Sequence, residues 1–297
     1  MTRLASAGSG HPERLTEAAH RRDGTVHCIS VGRVRLSFVS DIHGNIAGLA
    51  DVARAAEQLV VLGDLLDYVD YHDPSAAILG RVFGADKVRR FIELRLAGDF
   101  PRLREYNASL WESVCDPVGT LHDVVAARYR EVVAAVGPDA LLTLGNVDVA
   151  SVWNDVAGDE LPYLDAETVE IAGRRLGFVA GGSGRPGVRV RPTSSVWQPL
   201  IRSAEEFTAA VKAVGPVDIL CSHVPPGIAR LRYDVVPGRL EMYGPGLLES
   251  IDEHHPALAV FGHVHQPISR RTRRGHTECV NVGHFQRFPQ PFDVDLS

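Results

Sequence analysis

Five apolar, strand-like runs in this chain each end directly in residues that bind metal ions. Phe38-Val39-Ser40 runs into Asp41-Ile42-His43-Gly44-Asn45, and Leu59-Val60-Val61-Leu62 into Gly63-Asp64. Leu141-Leu142-Thr143-Leu144 runs into Gly145-Asn146, and Val217-Asp218-Ile219-Leu220-Cys221 into Ser222-His223. Leu258-Ala259-Val260-Phe261 runs into Gly262-His263-Val264-His265. In an open α/β sheet, functional groups collect just outside the carboxyl ends of the strands. Five strands ending in Asp, His and Asn therefore predict one shared site, with a ligand set suited to a pair of divalent cations.

Composition narrows the class of protein. The 297 residues suffice for one large domain or two small ones with a buried core. A hydrophobic share of 45% and a charged share of 23% are ordinary for a soluble globular chain. The net charge of −6 creates no global basic field, so a nucleic-acid backbone is not the expected partner. Arg270, Arg271, Arg273 and Arg274 read as a solvated hairpin. Cys28, Cys115, Cys221 and Cys279 are widely spaced without a C-x-x-C pair, which argues against a disulfide framework or zinc ribbon. No apolar stretch has the length of a membrane span, and the N-terminus lacks a signal-peptide core, so a cytoplasmic location is expected. Oligomeric state stays open.

Residues 1–33 read as a polar N-terminal arm, in which His11, His20 and His27 are assigned to the surface. A single domain is expected over 34–297, with alternating strand and helix patterns. Leu49, Val52, Ala56 and Leu59 recur at helical spacing. Ser203 and Glu206 have the spacing of a capping box, Phe207, Ala210, Val211 and Val214 form an apolar stripe, and Gly215-Pro216 ends that helix. Short strands are expected over 176–180 and near Cys279 to Val282, the second leading into Gly283-His284. The stretch from about Asp67 to Pro138 carries helical stripes instead. One comprises Leu103, Tyr106, Leu110 and Val114, and a longer one runs from Leu121 to Val136. Asp116-Pro117 reads as an N-cap with proline at the first helical position. The stretch is expected to be a helical insertion near the mouth of the site.

The order D-x-H, G-D, G-N, S-H and G-H-x-H resembles the calcineurin-like metallophosphoesterases. The matching positions are Asp41 and His43, Asp64, Asn146, His223, and His263 with His265. Each motif alone is weak, but together and in order they are specific. The resemblance implies an α/β fold, a four-layer αββα sandwich, with a dinuclear metal centre. It implies that Asp41, His43 and His265 hold one metal, that Asn146, His223 and His263 hold the other, and that Asp64 bridges them. A bridging hydroxide would be the nucleophile. Mixed His/Asp/Asn donors favour manganese, with Fe, Zn, Co or Ni as further fits, over Ca or Mg. Two such metals lie ~3.5–4 Å apart and clamp a phosphoryl group during in-line displacement.

One departure matters. The family commonly has G-N-H followed by an acidic residue, whereas this chain has Gly145-Asn146-Val147-Asp148. Valine has no proton to donate to a leaving group, so Asp148, a candidate catalytic residue by position, lacks its usual partner. His72 or Asp67 is the candidate substitute. Further substrate-binding candidates are Asn45 and Arg185, beside Asn146, His223 and His72. Arg185 follows the turn Gly181-Gly182-Ser183-Gly184, which offers backbone N–H groups without a P-loop lysine pattern. The expected function is metal-dependent hydrolysis of phosphate esters, leaning to a phosphodiesterase on small nucleotide-like diesters. A phosphomonoesterase, including a protein serine/threonine phosphatase, and a non-catalytic binding scaffold of the same fold are the alternatives.

Overall fold

Alternate residues of a strand face opposite sides of its sheet, and here both sides are apolar. Leu36, Phe38, Val60 and Leu62 lie on one face, and Val39, Leu59 and Val61 on the other. A sheet built that way must be covered twice. The computed structural model describes residues 21–22, 25–28, 33–187 and 195–296 and shows both covers. Arg21–Arg22 and Thr25–Cys28 are described by their backbone alone.

Two main sheets form. The smaller has the order Phe292–Leu296, Val34–Val39, Gln58–Leu62, Leu141–Thr143. Its last three strands run parallel, and Phe292–Leu296 closes the edge antiparallel to Val34–Val39. The larger has the order Arg21–Arg22, Thr25–Cys28, Glu167–Ile171, Arg174–Val179, Ile219–Ser222, Leu258–Phe261, Thr277–Asn281, Arg271–Arg274. Its central run from Arg174–Val179 to Thr277–Asn281 is parallel. Two stretches of the expected polar arm thus pair as strands at one edge of this sheet, while His11 and His20 lie outside the described residues.

The sheets pack face to face. Leu36, Phe38, Val60 and Leu62 meet Val169, Leu176, Phe178, Ile219, Cys221 and Val260 in one apolar core. The outer face of the smaller sheet lies under the helices Ile46–Ala55, Pro117–Val136 and Ala150–Ala157. The outer face of the larger lies under Ala204–Val214 and Leu247–His254 through Phe207, Val211, Leu247 and Ile251. The result is a four-layer αββα sandwich.

Local chemistry explains most element boundaries. Ser203 and Glu206 form the reciprocal capping box of Ala204–Val214, and Gly215 stops that helix with φ 66°. Asp116 accepts from the Gly119 N–H, with proline inside the first turn of Pro117–Val136. Asn45 caps Ile46–Ala55, which is shorter than the spacing predicts. Ala56 is already extended and Leu59 belongs to the next strand, because the apolar positions of a short connection serve both elements. Between Gln58–Leu62 and Leu141–Thr143 the chain forms Ile78–Phe83, Ala85–Leu96, Phe100–Glu112 and Pro117–Val136. Val114 falls just beyond the third of these helices. The arginines at 271, 273 and 274 lie on a hairpin strand, with Arg271 paired to Glu278 and Arg274 to Asp252. Among the described residues, Cys115, Cys221 and Cys279 are free thiols. No helix among the described residues is long and apolar enough to cross a membrane.

Phe178 is fully buried between the sheets. Phe178→Ala is expected to cost about 3–5 kcal/mol of stability, read as a lower denaturant midpoint. A loss under about 1 kcal/mol on the same scale would contradict the packing described.

Candidate metal centre

The parallel strands of both sheets end at the same rim of the sandwich, and the chain turns sharply there. Among the described residues seven non-glycine positions have positive φ, and Asp41 (61°), His43 (41°), Asp64 (52°) and His263 (69°) are four of them. Such backbone is costly for ordinary side chains and is tolerated best by Asn, Asp and His. Backbone hydrogen bonds hold the turns in place. The Asp41 N–H donates to the Gly63 carbonyl at 3.1 Å and the His43 N–H to the Asp64 carbonyl at 2.9 Å. Across the two sheets, the His263 N–H donates to both carboxylate oxygens of Asp41 at 3.1 and 3.0 Å. Only glycine fits before His263, because a Cβ on Gly262 would lie 2.0 Å from Ser40 Oγ and 2.3 Å from Asp41 Oδ2.

Two donor groups result. Asp41, His43 and His265 present atoms within 4.8 Å of one another, and so do Asp64, His223 and His263. Asn146 joins the second group, its Oδ1 lying 2.9 Å from His223 Nε2. All seven residues expected at the centre are therefore brought together. The imidazoles are oriented from behind. His43 Nδ1 meets the Leu66 carbonyl at 2.9 Å and His223 Nδ1 meets the Leu62 carbonyl at 2.9 Å, so in each ring Nδ1 carries the hydrogen and Nε2 faces the centre. The Nε2 atoms of His43 and His265 lie 3.1 Å apart. His263 Nε2 is buried without a hydrogen-bond partner among the described residues. Two ring nitrogens turned toward each other and an orphaned buried nitrogen are what a cation would satisfy, so the residues present fit a metal pair.

Electrostatics within the cluster point the same way. Burial would raise the Asp41 carboxyl, but the hydrogen bond and charge of His265 outweigh it and hold it below the usual range. Burial would likewise raise Asp64, and His223 lowers it. Burial alone would lower His223, but Asp64 raises it to about 9. Burial and the charge of His223 push His263 down to about 4, which keeps its ring neutral.

The sequence profile of the calcineurin-like phosphoesterases matches residues 34–267, well over half of the chain. The chain belongs to this family. One solved crystal structure superposes with a TM-score of 0.56 at 14% identity, covering 86% of this chain and 92% of that chain, and this likeness speaks to the fold alone. The crystal structure of TT1561 of Thermus thermophilus is 14% identical and covers 89% of this chain and 99% of that one. Its TM-score of 0.47 is too low to carry an argument. A comparison with curated proteins gives no match. Calcineurin-like phosphoesterases are metal-dependent phosphoester hydrolases, and two donor groups lying side by side at one rim suit a dinuclear centre.

The other expected site residues fall outside the two donor groups, with Asn45 and Asp67 in the wall of the cavity beside His43. Asp148 is fully buried and faces backbone. Its oxygens accept from the N–H groups of Leu65 (3.0 Å), Leu66 (3.2 Å) and Gly145 (2.7 Å), binding the Asp64 turn to the Asn146 turn. Burial and the charge of Asp64 push its carboxyl up to about 7, opposed by those amides. Asn45 is used in capping, accepting from Gly48 and donating to the Gln286 carbonyl. The glycine-rich turn is no phosphate cradle. The N–H groups of Gly181, Gly182 and Gly184 donate to Leu144, Leu200 and Arg202, and that of Ser183 to Met242 Sδ. Arg185 and His72 are exposed, and no contact among the described residues joins either to the two donor groups. Asp67, in contrast, is buried in a cavity wall close to Gly44.

Two neighbours of the centre are not among the expected site residues. His284 stacks on His265 with ring centroids 4.0 Å apart, and it follows a strand just as the ligand histidines do. Gln286 donates through Nε2 to the His43 carbonyl at 3.1 Å, and no motif marks it.

Asp148→Ala strands three amides and is expected to cost at least about 1–3 kcal/mol in denaturant titration. Stability equal to wild type would remove Asp148 from its tying role. Because Asp64 keeps His223 protonated near neutrality, cation uptake should release protons and weaken on acidification. Titration in weak buffer with a pH indicator measures the release, and uptake without protons would contradict the linkage.

Proposed function

We propose that two divalent cations occupy this centre, one held by Asp41, His43 and His265, the other by Asn146, His223 and His263, with Asp64 between them. One observation carries this reading. Asp64 Oδ2 lies 3.7 Å from His43 Nε2 and 3.2 Å from His223 Nε2, so a single carboxylate oxygen reaches both donor groups. The donor set favours manganese, with Fe, Zn, Co or Ni as further fits.

When bound, such a pair supplies an activated water and positive charge against the phosphoryl oxygens. The protein's own residues set the geometry. The Val147 N–H donates to Asp64 Oδ1 at 3.0 Å and leaves Oδ2 directed at both donor groups. The Leu62 and Leu66 carbonyls fix the His223 and His43 rings. Gln286 and the Asp41–His263 contact hold the loops of the two sheets against each other.

The substrate reading is a phosphodiesterase acting on small nucleotide-like diesters in the cytoplasm. Two features support it. Val147 stands where the family commonly has a histidine, and general acid catalysis is worth ~10²–10⁴-fold, so esters with good leaving groups are favoured. The acidic balance of the chain favours a small substrate over a nucleic-acid polymer.

Elemental analysis of the purified protein is expected to find two metal ions per chain. The Mn-loaded enzyme should turn over bis(p-nitrophenyl) phosphate faster than p-nitrophenyl phosphate and lose activity to a chelator. Rapid monoester hydrolysis with an inert diester would overturn the diester reading. Bound metal without turnover of either would make the chain a scaffold.

A further inference from the structure

A cavity of about 420 Å³ adjoins the first donor group. His43 and Gln286 line it on the metal side, and Asp67, Arg81 and Arg128 line it on the other. This volume is of the size that takes a small-molecule ligand, commonly about 300–1,000 Å³. Arg81 comes from Ile78–Phe83 and Arg128 from Pro117–Val136, so helices of the inserted stretch supply both cations.

Arg128 is unusual among the arginines. Its side chain is only 9% exposed, yet among the described residues one of its five N–H donors is matched, by a hydrogen bond from Nη1 to Glu131 Oε2 at 2.6 Å. Its Nε is buried without a hydrogen-bond partner. Asp67 Oδ1 lies 3.7 Å from that Nε, beyond hydrogen-bond reach, and is also without a hydrogen-bond partner among the described residues. Burial raises the Asp67 carboxyl to about 6 against the pull of Arg128. The other acid on the wall, Asp70, spends Oδ1 on the N–H groups of His72 and Asp73. Arg81 uses Nε on the Ala76 carbonyl, and its two amino groups have no hydrogen-bond partner among the described residues. The cavity thus holds two guanidinium groups with more donors than the protein's acceptors consume. A buried guanidinium left in that state costs free energy that an oxyanion recovers, and its planar fork matches a phosphate.

We propose that this cavity binds a second phosphoryl group of the substrate, so that the ester hydrolysed at the metal centre carries another phosphate on its alcohol part. The assignment deepens the phosphoesterase reading and rests on it for the reacting end. It gives the helical stretch a task, which is to select bis-phosphorylated esters through Arg128 and Arg81. Glu131, hydrogen-bonded to Arg128 Nη1, holds that guanidinium, and Asp67 lies between the guanidinium and Gly44.

The test separates the anion site from the chemistry. The full chain, stripped of metal with a chelator and dialysed, is titrated calorimetrically with inorganic phosphate. Binding is expected, and Arg128→Gln should weaken it at least tenfold. Arg81→Gln should weaken it less, and Arg128→Lys should fall between wild type and Arg128→Gln because it keeps the charge without the fork. Circular dichroism checks each fold, and Arg81→Gln, on a more exposed side chain, carries the test if Arg128→Gln fails to fold. No binding to the stripped wild type overturns the proposal. Binding that neither substitution weakens, such as a phosphate held on the Arg273 hairpin, also overturns it. A chain that hydrolyses esters but binds no phosphate when stripped keeps the proposed function and loses this inference. A chain that binds phosphate through Arg128 without hydrolysing any ester does the reverse.

Discussion

The contact between the Asp41 carboxylate and the His263 N–H joins the two halves of this protein. Asp41 ends a strand of the smaller sheet and His263 follows one of the larger, so the bond pins both sheets at the rim where every donor lies. Packing alone does not fix that alignment, because apolar faces can slide over one another. Gly262 permits the approach, and the Phe285 N–H to Ser40 carbonyl bond, at 3.1 Å, repeats the link one step away. Asp148 does a comparable job within the smaller sheet by binding three amides from two turns. The centre is therefore held by hydrogen bonds to backbone, which also orient side chains such as His43 and His223.

Much of this was legible in the sequence, for a physical reason. Strand ends, metal donors and helix caps are local signals, in which the chemistry and the chain position sit side by side. Asp41 to His265 announced the centre in this way, and Ser203 with Glu206 announced a helix. Asp148, Asn45 and the Gly181 turn were harder, because a side chain or N–H that could reach a substrate can equally be consumed by neighbouring backbone. Only coordinates show that Leu65, Gly48 and Leu200 consume them. Arg128 and Gln286 carried no signal at all. An arginine in the middle of a helix reads as a solvated residue, and its burial in the wall of the cavity that His43 also lines depends on how Pro117–Val136 packs against Ile46–Ala55.

The division of labour among the layers is clear. The sheets place the seven donors, and the loops behind them hold ring tautomers and carboxylate directions. The helices between Gln58–Leu62 and Leu141–Thr143 contribute none of these donors, yet they wall the space next to them. In the arrangement proposed above, reactivity and selectivity would reside on different elements of the chain.

The left-handed backbone at Asp41, His43, Asp64 and His263 has a consequence for how such a centre can change. Aspartate, asparagine and histidine are at once good ligands and among the residues that best endure that conformation. Replacing one of them by glutamate or cysteine, to favour another metal, would meet a conformational toll before coordination is considered. The menu of metals open to this scaffold is thus restricted by its Ramachandran angles as well as by donor chemistry.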